Sequence, residues 1–539
     1  MVVVGGGHNG LTCACYLARA GLKVGVFERR SIVGGAAVTE EFHPGFRNST
    51  ASYTVSLLHP KVIRELRLAE HGLTIIPRPM QNFLPLPDGS AFCAGPTLSD
   101  TLRALEPRSR ADAVRLPQFY AMLERAVAVL RSLLLKTPPA DLSSWRERLG
   151  LLALGHEIAQ LAPETQREVH EIMTRSAGEL LDGWFEDEAL KALHGFDAVV
   201  GSFQSPYTPS SAYVLLHHVF GEVNGRSGVW GHALGGMGAI SQALAAEARR
   251  LGVEIHTDSP VEQILTEGAG RAPGRARAVA IQLGDGRRIG ARRIAANVDP
   301  RRLYLTLIDR AVLPAEFTAR IERYRCESAT FRMNLALSEL PSFSAMPGPG
   351  AHLGAGIILA PSLAYMDRAW LDARASGCSR APIIEMLIPS TLDASLAPAG
   401  AHVASVFCQH FAYRLPDGRS WDEQRDGTAD LIIDTIETYA PNFRRSVIGR
   451  LALSPVDLEQ RFGLTGGDIF HGALGLDQLW AARPVVGYGD YRSPLEGLYL
   501  CGSGAHPGGG VSALPGHNAA REILKDSRRL RRFITNKKG

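Results

Sequence analysis

The sequence predicts an α/β protein in which a parallel-sheet domain, drawn from three separated stretches of chain, is interrupted by a second domain of α+β character. Three observations lead there. An apolar strand pattern opens the chain and runs into a glycine turn and a helix, a second glycine-turn, helix and strand passage begins at Gly235, and a third strand, turn and helix lie between Gly497 and Leu524. Short apolar runs alternating with helical patterns and punctuated by glycine are what βαβ units and a parallel sheet look like in sequence.

At 539 residues the chain is too long for one ordinary core, so two packed domains are expected. Hydrophobic residues make up 45% and charged residues 21%, which excludes a disordered or fibrous chain. With 58 basic against 54 acidic residues the net charge is only +4, too balanced for a nucleic-acid partner. The seven cysteines, at 13, 15, 93, 326, 378, 408 and 501, contain no C-x-x-C pair and read as reduced thiols. The amino terminus enters a strand and glycine turn at once, leaving no room for a targeting segment. Ala126 to Leu135 is the richest apolar stretch, but it contains Arg131 and falls well short of the roughly 20 apolar residues of a membrane span.

In chain order, Met1 to Val4 reads as a buried strand, Gly5 to Gly10 as a turn, Leu11 to Ala20 as a helix ended by Gly21, and Leu22 to Phe27 as the second parallel strand. From about Lys61 to Val229 the pattern is mostly helical, including Gln118 to Lys136 and Leu151 to Leu181. After Gly235 come a helix at Ala239 to Leu251, strands near Val253 to His256 and Pro260 to Leu265 that should rejoin the first sheet, and a hairpin at Gly284-Asp285-Gly286. Alternation from Phe331 to Phe411 predicts an antiparallel sheet. The resulting division assigns 1–75, 228–300 and 465–525 to the first domain, 76–227 and 301–464 to the second with its helical insertion, and 526–539 to a basic, solvated tail.

Gly5-Gly6-Gly7-His8-Asn9-Gly10 fits G-x-G-x-x-G between a strand and a helix, the context its mechanism requires. Gly5 permits the tight turn, Gly7 lets backbone approach a pyrophosphate, and Gly10 lets helix and strand pack closely while the helix amino terminus faces the phosphates. Glu28 closes the second strand, where it is placed to accept hydrogen bonds from an adenosine ribose. An acid there disfavours a 2′-phosphate, so FAD or NAD fits this Rossmann-like domain better than NADP.

The residues after Glu28 decide between the two. The run FERRSIVGGAAVTEEFHPGF, at 27–46, resembles the segment after the second strand in the FAD-dependent amine oxidase and phytoene desaturase superfamily. This resemblance implies that Gly34, Gly35 and Ala36 pass close to the cofactor phosphates and that Arg29 or Arg30 helps bind them. Residues 235–265 are similar to the superfamily's middle block, implying adenine contact at Val261. Residues 497–524 look like its final flavin-contacting strand, turn and helix. They imply cofactor contacts from Gly502, Ser503, His506, Gly510 and Val511, joined by His8 and Asn9 at the first turn. Ser503 stands where that family often carries an acid, so its hydroxyl or the backbone is expected to bond the ribityl chain. A narrower resemblance, carried also by HNGL at 8–11, ASYTVSLL at 51–58, FHGALGLDQL at 470–479 and CGSGAHPGGGV at 501–511, is to the pyridine nucleotide-disulphide oxidoreductase domain-containing protein 2 group. Its eukaryotic members imply a mitochondrial location, whereas a bacterial chain would be cytoplasmic.

Disulphide reduction is not expected despite that group's name. Cys13 and Cys15 lie on the helix behind the turn and point to different faces, and no second G-x-G-x-x-G follows a strand to seat NAD(P)H. The expected activity is that of an FAD-dependent oxidoreductase of the phytoene desaturase type, transferring hydride from a carbon of a largely apolar substrate, with oxygen, a quinone or a protein as electron acceptor. Alternatives are a flavin amine oxidase and a non-catalytic, FAD-bearing regulatory scaffold. Candidate catalytic side chains are Tyr53, Trp230, His232, His471 and Gln478; no histidine or cysteine cluster has metal-ligand spacing. The Gln118 to Lys136 segment reads as core packing or a homodimer interface, with peripheral membrane contact as the rival.

Overall fold

A computed structural model of the chain describes residues 1–140, 145–268 and 276–536. Five short parallel strands form one sheet in the order Glu254–His256, Gly25–Phe27, Val2–Val4, Ile294–Ala296 and Leu498–Leu500. The three inner strands and the carboxyl-terminal one are nearly continuous hydrophobic runs because helices cover the sheet. Helix His8–Arg19 packs on both Gly238–Arg250 and Leu514–Asn536, so the two ends of the chain share one core.

A second sheet has seven strands, in the order Val447–Leu453, Thr330–Leu337, His402–Phe411, Cys378–Leu387, Gly356–Leu359, Asn82–Pro85 and Ala91–Ala94. Neighbours are antiparallel except Gly356–Leu359 against Asn82–Pro85. Every residue of Thr330–Leu337 is buried, because one apolar cluster joins this sheet to helix Trp421–Glu437 and another joins it to a helical layer built from Arg110–Leu134, Ala177–Trp184 and Glu188–Val199. No helix among the described residues is long and apolar enough to cross a membrane. This is an α/β fold with a Rossmann-like domain and a discontinuous α+β partner.

Several sequence expectations need correction. The first helix begins at His8 rather than Leu11, because Gly7 already has N-cap geometry and Gly10 lies inside the helix. Strand Val261–Glu267 does not rejoin the parallel sheet but forms an antiparallel sheet with Arg277–Leu283 and Arg288–Gly290. It exposes Glu262 and Gln263, and a strand with polar exposed positions cannot be covered on both faces. The stretch 61–229 is mostly helical, as expected, but it also gives two strands to the large sheet and pairs Ile75–Pro77 with Gly231–Ala233. Leu151 to Leu181 falls across three helices, Trp145–Ala159, Pro163–Thr174 and Ala177–Trp184, the second starting on a proline and the third capped by Ser176. The carboxyl-terminal helix continues through Asn536, and Asp526 in it is bound by Arg492 and Tyr499; Lys537 and Lys538 lie outside the described residues.

Candidate cofactor cleft and active site

A cleft opens where the parallel strands end. Gly5, with φ +92°, turns the chain out of the first strand, and its N–H is held by the Phe27 carbonyl at 2.8 Å. Gly34 donates to the Gly6 carbonyl at 2.9 Å, laying the glycine doublet directly on the turn. A Cβ on Gly35 would stand 3.3 Å from the Gly7 Cα, and one on Gly7 would come within 2.7 Å of the Asn297 carboxamide. The absent side chains therefore leave a cradle floored by backbone, at the amino terminus of a helix whose first turn carries no acid. Such a terminus is an anion site.

Glu28 is 6% exposed and lines the same cleft. Its Oε2 accepts from the Gly6 N–H at 2.7 Å and its Oε1 from the Arg30 N–H at 3.0 Å. An ionised carboxylate offers about four acceptor positions, so it has capacity left for the hydroxyls of a ribose. Among the described residues, five polar atoms of cleft-wall residues are buried without a protein partner: His8 Nε2, Asn9 Oδ1, Arg30 Nη1, Ser56 Oγ and His471 Nδ1. Buried polar groups rarely stay unpaired. Together the cradle, the acid and these orphaned atoms fit FAD.

The cleft wall contains Gly5, Gly7, His8, Asn9, Glu28, Arg29, Arg30, Gly34, Gly35, Ala36, Val261, Ser503, Gly510 and Val511, and also Tyr53, Trp230 and His471. Asn9 Nδ2 donates to Ser503 Oγ at 3.1 Å, tying the first turn to the last. Burial and the neighbouring His471 hold His8 at a pKa of about 4, and burial with Arg483 does the same for His471, so both rings are neutral at pH 7.

Five predicted residues stand elsewhere. Gly10 packs against the Gly5 carbonyl, the close helix–strand approach expected of it, and Gly502 packs against Asn297. His506 is buried under Trp480, its ring centroid 4.6 Å away, and its Nε2 bonds the Leu133 carbonyl at 3.1 Å. His232 is held by Asp393 at 3.1 Å in the strand pairing with Ile75–Pro77. Gln478 clips the backbone of Arg325, at 2.8 and 3.1 Å, because Leu476–Gln478 is a short 3-10 turn and not the helix that would align it with His471.

Sequence reasoning missed Asn297, which comes directly after strand Ile294–Ala296. With its carboxamide oxygen toward the turn it accepts from the Gly7 and Gly10 N–H groups at 3.2 and 3.3 Å. A polar residue directly after an apolar parallel strand is a signal for such a position. Val200 and Phe407, also on the wall, carry no sequence signal.

The cysteine geometry excludes a dithiol at the cleft. The Cys13 thiol is hydrogen-bonded with Cys501, and Cys15 Sγ donates to the Leu244 carbonyl at 3.6 Å. All three are fully buried, and none lines the cleft.

Fold and cleft define an FAD-dependent oxidoreductase. Residues 10–330 match the flavin containing amine oxidoreductase family, to which the chain belongs. It is 41% identical to the pyridine nucleotide-disulfide oxidoreductase domain-containing protein 2 of Rattus norvegicus, across 97% of this chain and 93% of that protein. A limonene dehydrogenase polypeptide of Castellaniella defragrans is 28% identical across 98% of this chain and 94% of its own length. A solved oxidoreductase from Methanosarcina mazei has the same fold, with a TM-score of 0.60 at 17% identity, covering 97% of this chain and 99% of that one.

Proposed function

We propose that the chain removes a hydride from a carbon of a largely apolar substrate. The observation that carries this is the composition of the wall beyond the glycine cradle: Val55, Val200, Trp230, Phe407, Ile469 and Phe470, with His471 kept neutral. Bound FAD supplies the two-electron acceptance. The protein's part is to exclude water and hold the reacting carbon in place, which apolar walls do for an apolar molecule. Limonene dehydrogenase, one of the relatives, is named for a hydrocarbon substrate.

An amine substrate fits less well. The Tyr53 ring stacks on Phe407 at 5.1 Å and already carries the Arg332 guanidinium 4.7 Å from its centroid. A second cation would meet that charge across a poorly screened interior. Anaerobic mixing of the holoenzyme with alkenes such as limonene and with primary amines tests the proposal. Bleaching of the oxidised flavin band by an alkene is expected, and bleaching by amines alone would overturn it.

A further inference from the structure

Four residues of the apolar wall, Val55, Val200, Phe407 and Phe470, are buried. FAD on the glycine cradle and Glu28 would fill the other end of the cleft. A substrate therefore needs a way to the apolar end that does not pass the cofactor.

A second cavity meets the cleft there. Leu57 lines both, so at that point the partition between them is a single residue thick. Gly509 lines the second cavity and Gly510 the cleft, and a Cβ on Gly509 would collide with the Phe470 ring. Tyr213, on the wall of the second cavity, shares an apolar cluster with Phe470. Gly221 closes the partition from the other side, where a Cβ would run into Ser56 Oγ of the cleft wall. Glu222 N–H donates to the Ser56 carbonyl at 2.9 Å, which fixes the two walls together.

The floor of the second cavity is apolar and buried at Leu58, Tyr213 and Leu514, whereas its lining residues His59, Arg131 and Glu222 are partly exposed. An apolar floor inside a polar rim suits a small apolar molecule. Arg131 and Glu222 give the rim one charge of each sign, so it does not select an ion. Its frame is held open by backbone bonds: Arg131 donates to the Val219 and Phe220 carbonyls at 3.1 and 3.3 Å, and Asn518 Nδ2 to the Leu134 carbonyl at 2.9 Å.

We propose that this second cavity is the port by which a neutral, apolar substrate enters, with Leu57 as the gate between port and cleft. The inference rests on the apolar-substrate reading and adds the route that reading requires. A gate of this kind controls how fast a ligand enters and leaves.

Stopped-flow fluorescence of diphenylhexatriene, a neutral apolar rod, tests this on the purified holoenzyme, with association followed on mixing and release followed on adding excess phosphatidylcholine vesicles. Leu134→Trp narrows the port outside the cleft. It is expected to slow association and release alike by about tenfold and to leave Kd within about twofold, because a port lies on the path and not in the bound state. Leu57→Ala, which thins the gate, should speed both by about threefold or more. Val114→Trp, at a position 68% exposed on the same helix, is the control and should match wild type. Association by Leu134→Trp at the wild-type rate would overturn the port. So would slower association with release unchanged, which would make the cavity the binding site itself. Leu57→Ala rates no faster than wild type would overturn the gate. Should Leu134→Trp lose its flavin, Leu57→Ala alone decides. These results would leave the apolar-substrate reading standing, whereas failure of wild type to bind the probe would overturn both.

Discussion

Gly10→Ala is expected to reduce FAD affinity by about 100-fold or more, a loss on the order of 2.7 kcal/mol. A Cβ on Gly10 would lie 2.2 Å from the Gly5 carbonyl oxygen and 3.0 Å from the Asn297 carboxamide. Neither is a flexible side-chain tip free to swing away. The Gly5 carbonyl belongs to a turn pinned through its N–H to Phe27, and Asn297 binds the Gly7 and Gly10 N–H groups. The helix must therefore move off the turn, taking with it the N–H groups that face the cradle. Overpacking of this kind costs about 1–3 kcal/mol in stability, and the displaced anion site adds its own loss in cofactor binding. Gly183→Ala is the control. It lies in helix Ala177–Trp184 with nothing within 4 Å of its Cβ position, so it should retain flavin and gain up to about 1 kcal/mol of helix stability. Full flavin occupancy in Gly10→Ala, measured by absorbance after gel filtration, would show that the first turn does not seat the cofactor.

Arg483→Met should destabilise the protein by about 3–5 kcal/mol, the range found when one partner of a buried charged network is removed. Arg483 is fully buried, and its guanidinium donates only to backbone carbonyls. Nη2 reaches Phe470 at 2.7 Å and Ser503 at 2.9 Å, Nε reaches Ser503 at 3.1 Å, and Nη1 reaches Gln478 at 3.1 Å. The same fork contacts the carbonyls of His471, Gly472 and Ala473. Methionine fills the volume but leaves these acceptors unpaired. Because Phe470, His471 and Ser503 line the cleft, flavin retention should fall together with the melting temperature. Arg483→Lys keeps the charge and not the fork, and is expected to recover only part of the loss. A melting curve for Arg483→Met within experimental error of wild type would contradict this role for the guanidinium.

The parts of this molecule that were legible in sequence are those where local chemistry and long-range role coincide. Gly5, Gly7 and Glu28 announce themselves because a strand, a glycine turn, a helix and an acid occur in a fixed order, and each contributes to one cleft. The return of the chain at Leu498–Leu500 was legible for the same reason. The rest depends on contacts between distant segments. Arg78 and Glu385 meet although 307 positions separate 78 from 385 in the chain, and nothing near either residue marks it as buried and paired. His232 and Gln478 lay in informative motifs, yet Asp393 and Arg325 claim their side chains. The register of a bend decided Gln478: a seven-residue spacing aligns two residues only on a continuous helix, and Gly472 and Gly475 interrupt it. Strand Val261–Glu267 shows the same limit, since a strand was legible there but its partner strand was not.

The central claim is that the first turn, the glycine doublet and the last turn close around FAD, with Glu28 supplying charged acceptors to its ribose. Titrating apo-protein with FAD and monitoring flavin fluorescence, for wild type and for Glu28→Ala, tests it most directly. Wild type is predicted to bind one FAD per chain, and Glu28→Ala to bind it at least about tenfold more weakly because hydrogen bonds to a charged acceptor contribute about 1.5–3 kcal/mol each. Absence of FAD binding by wild type, or equal affinity in the two proteins, would contradict it.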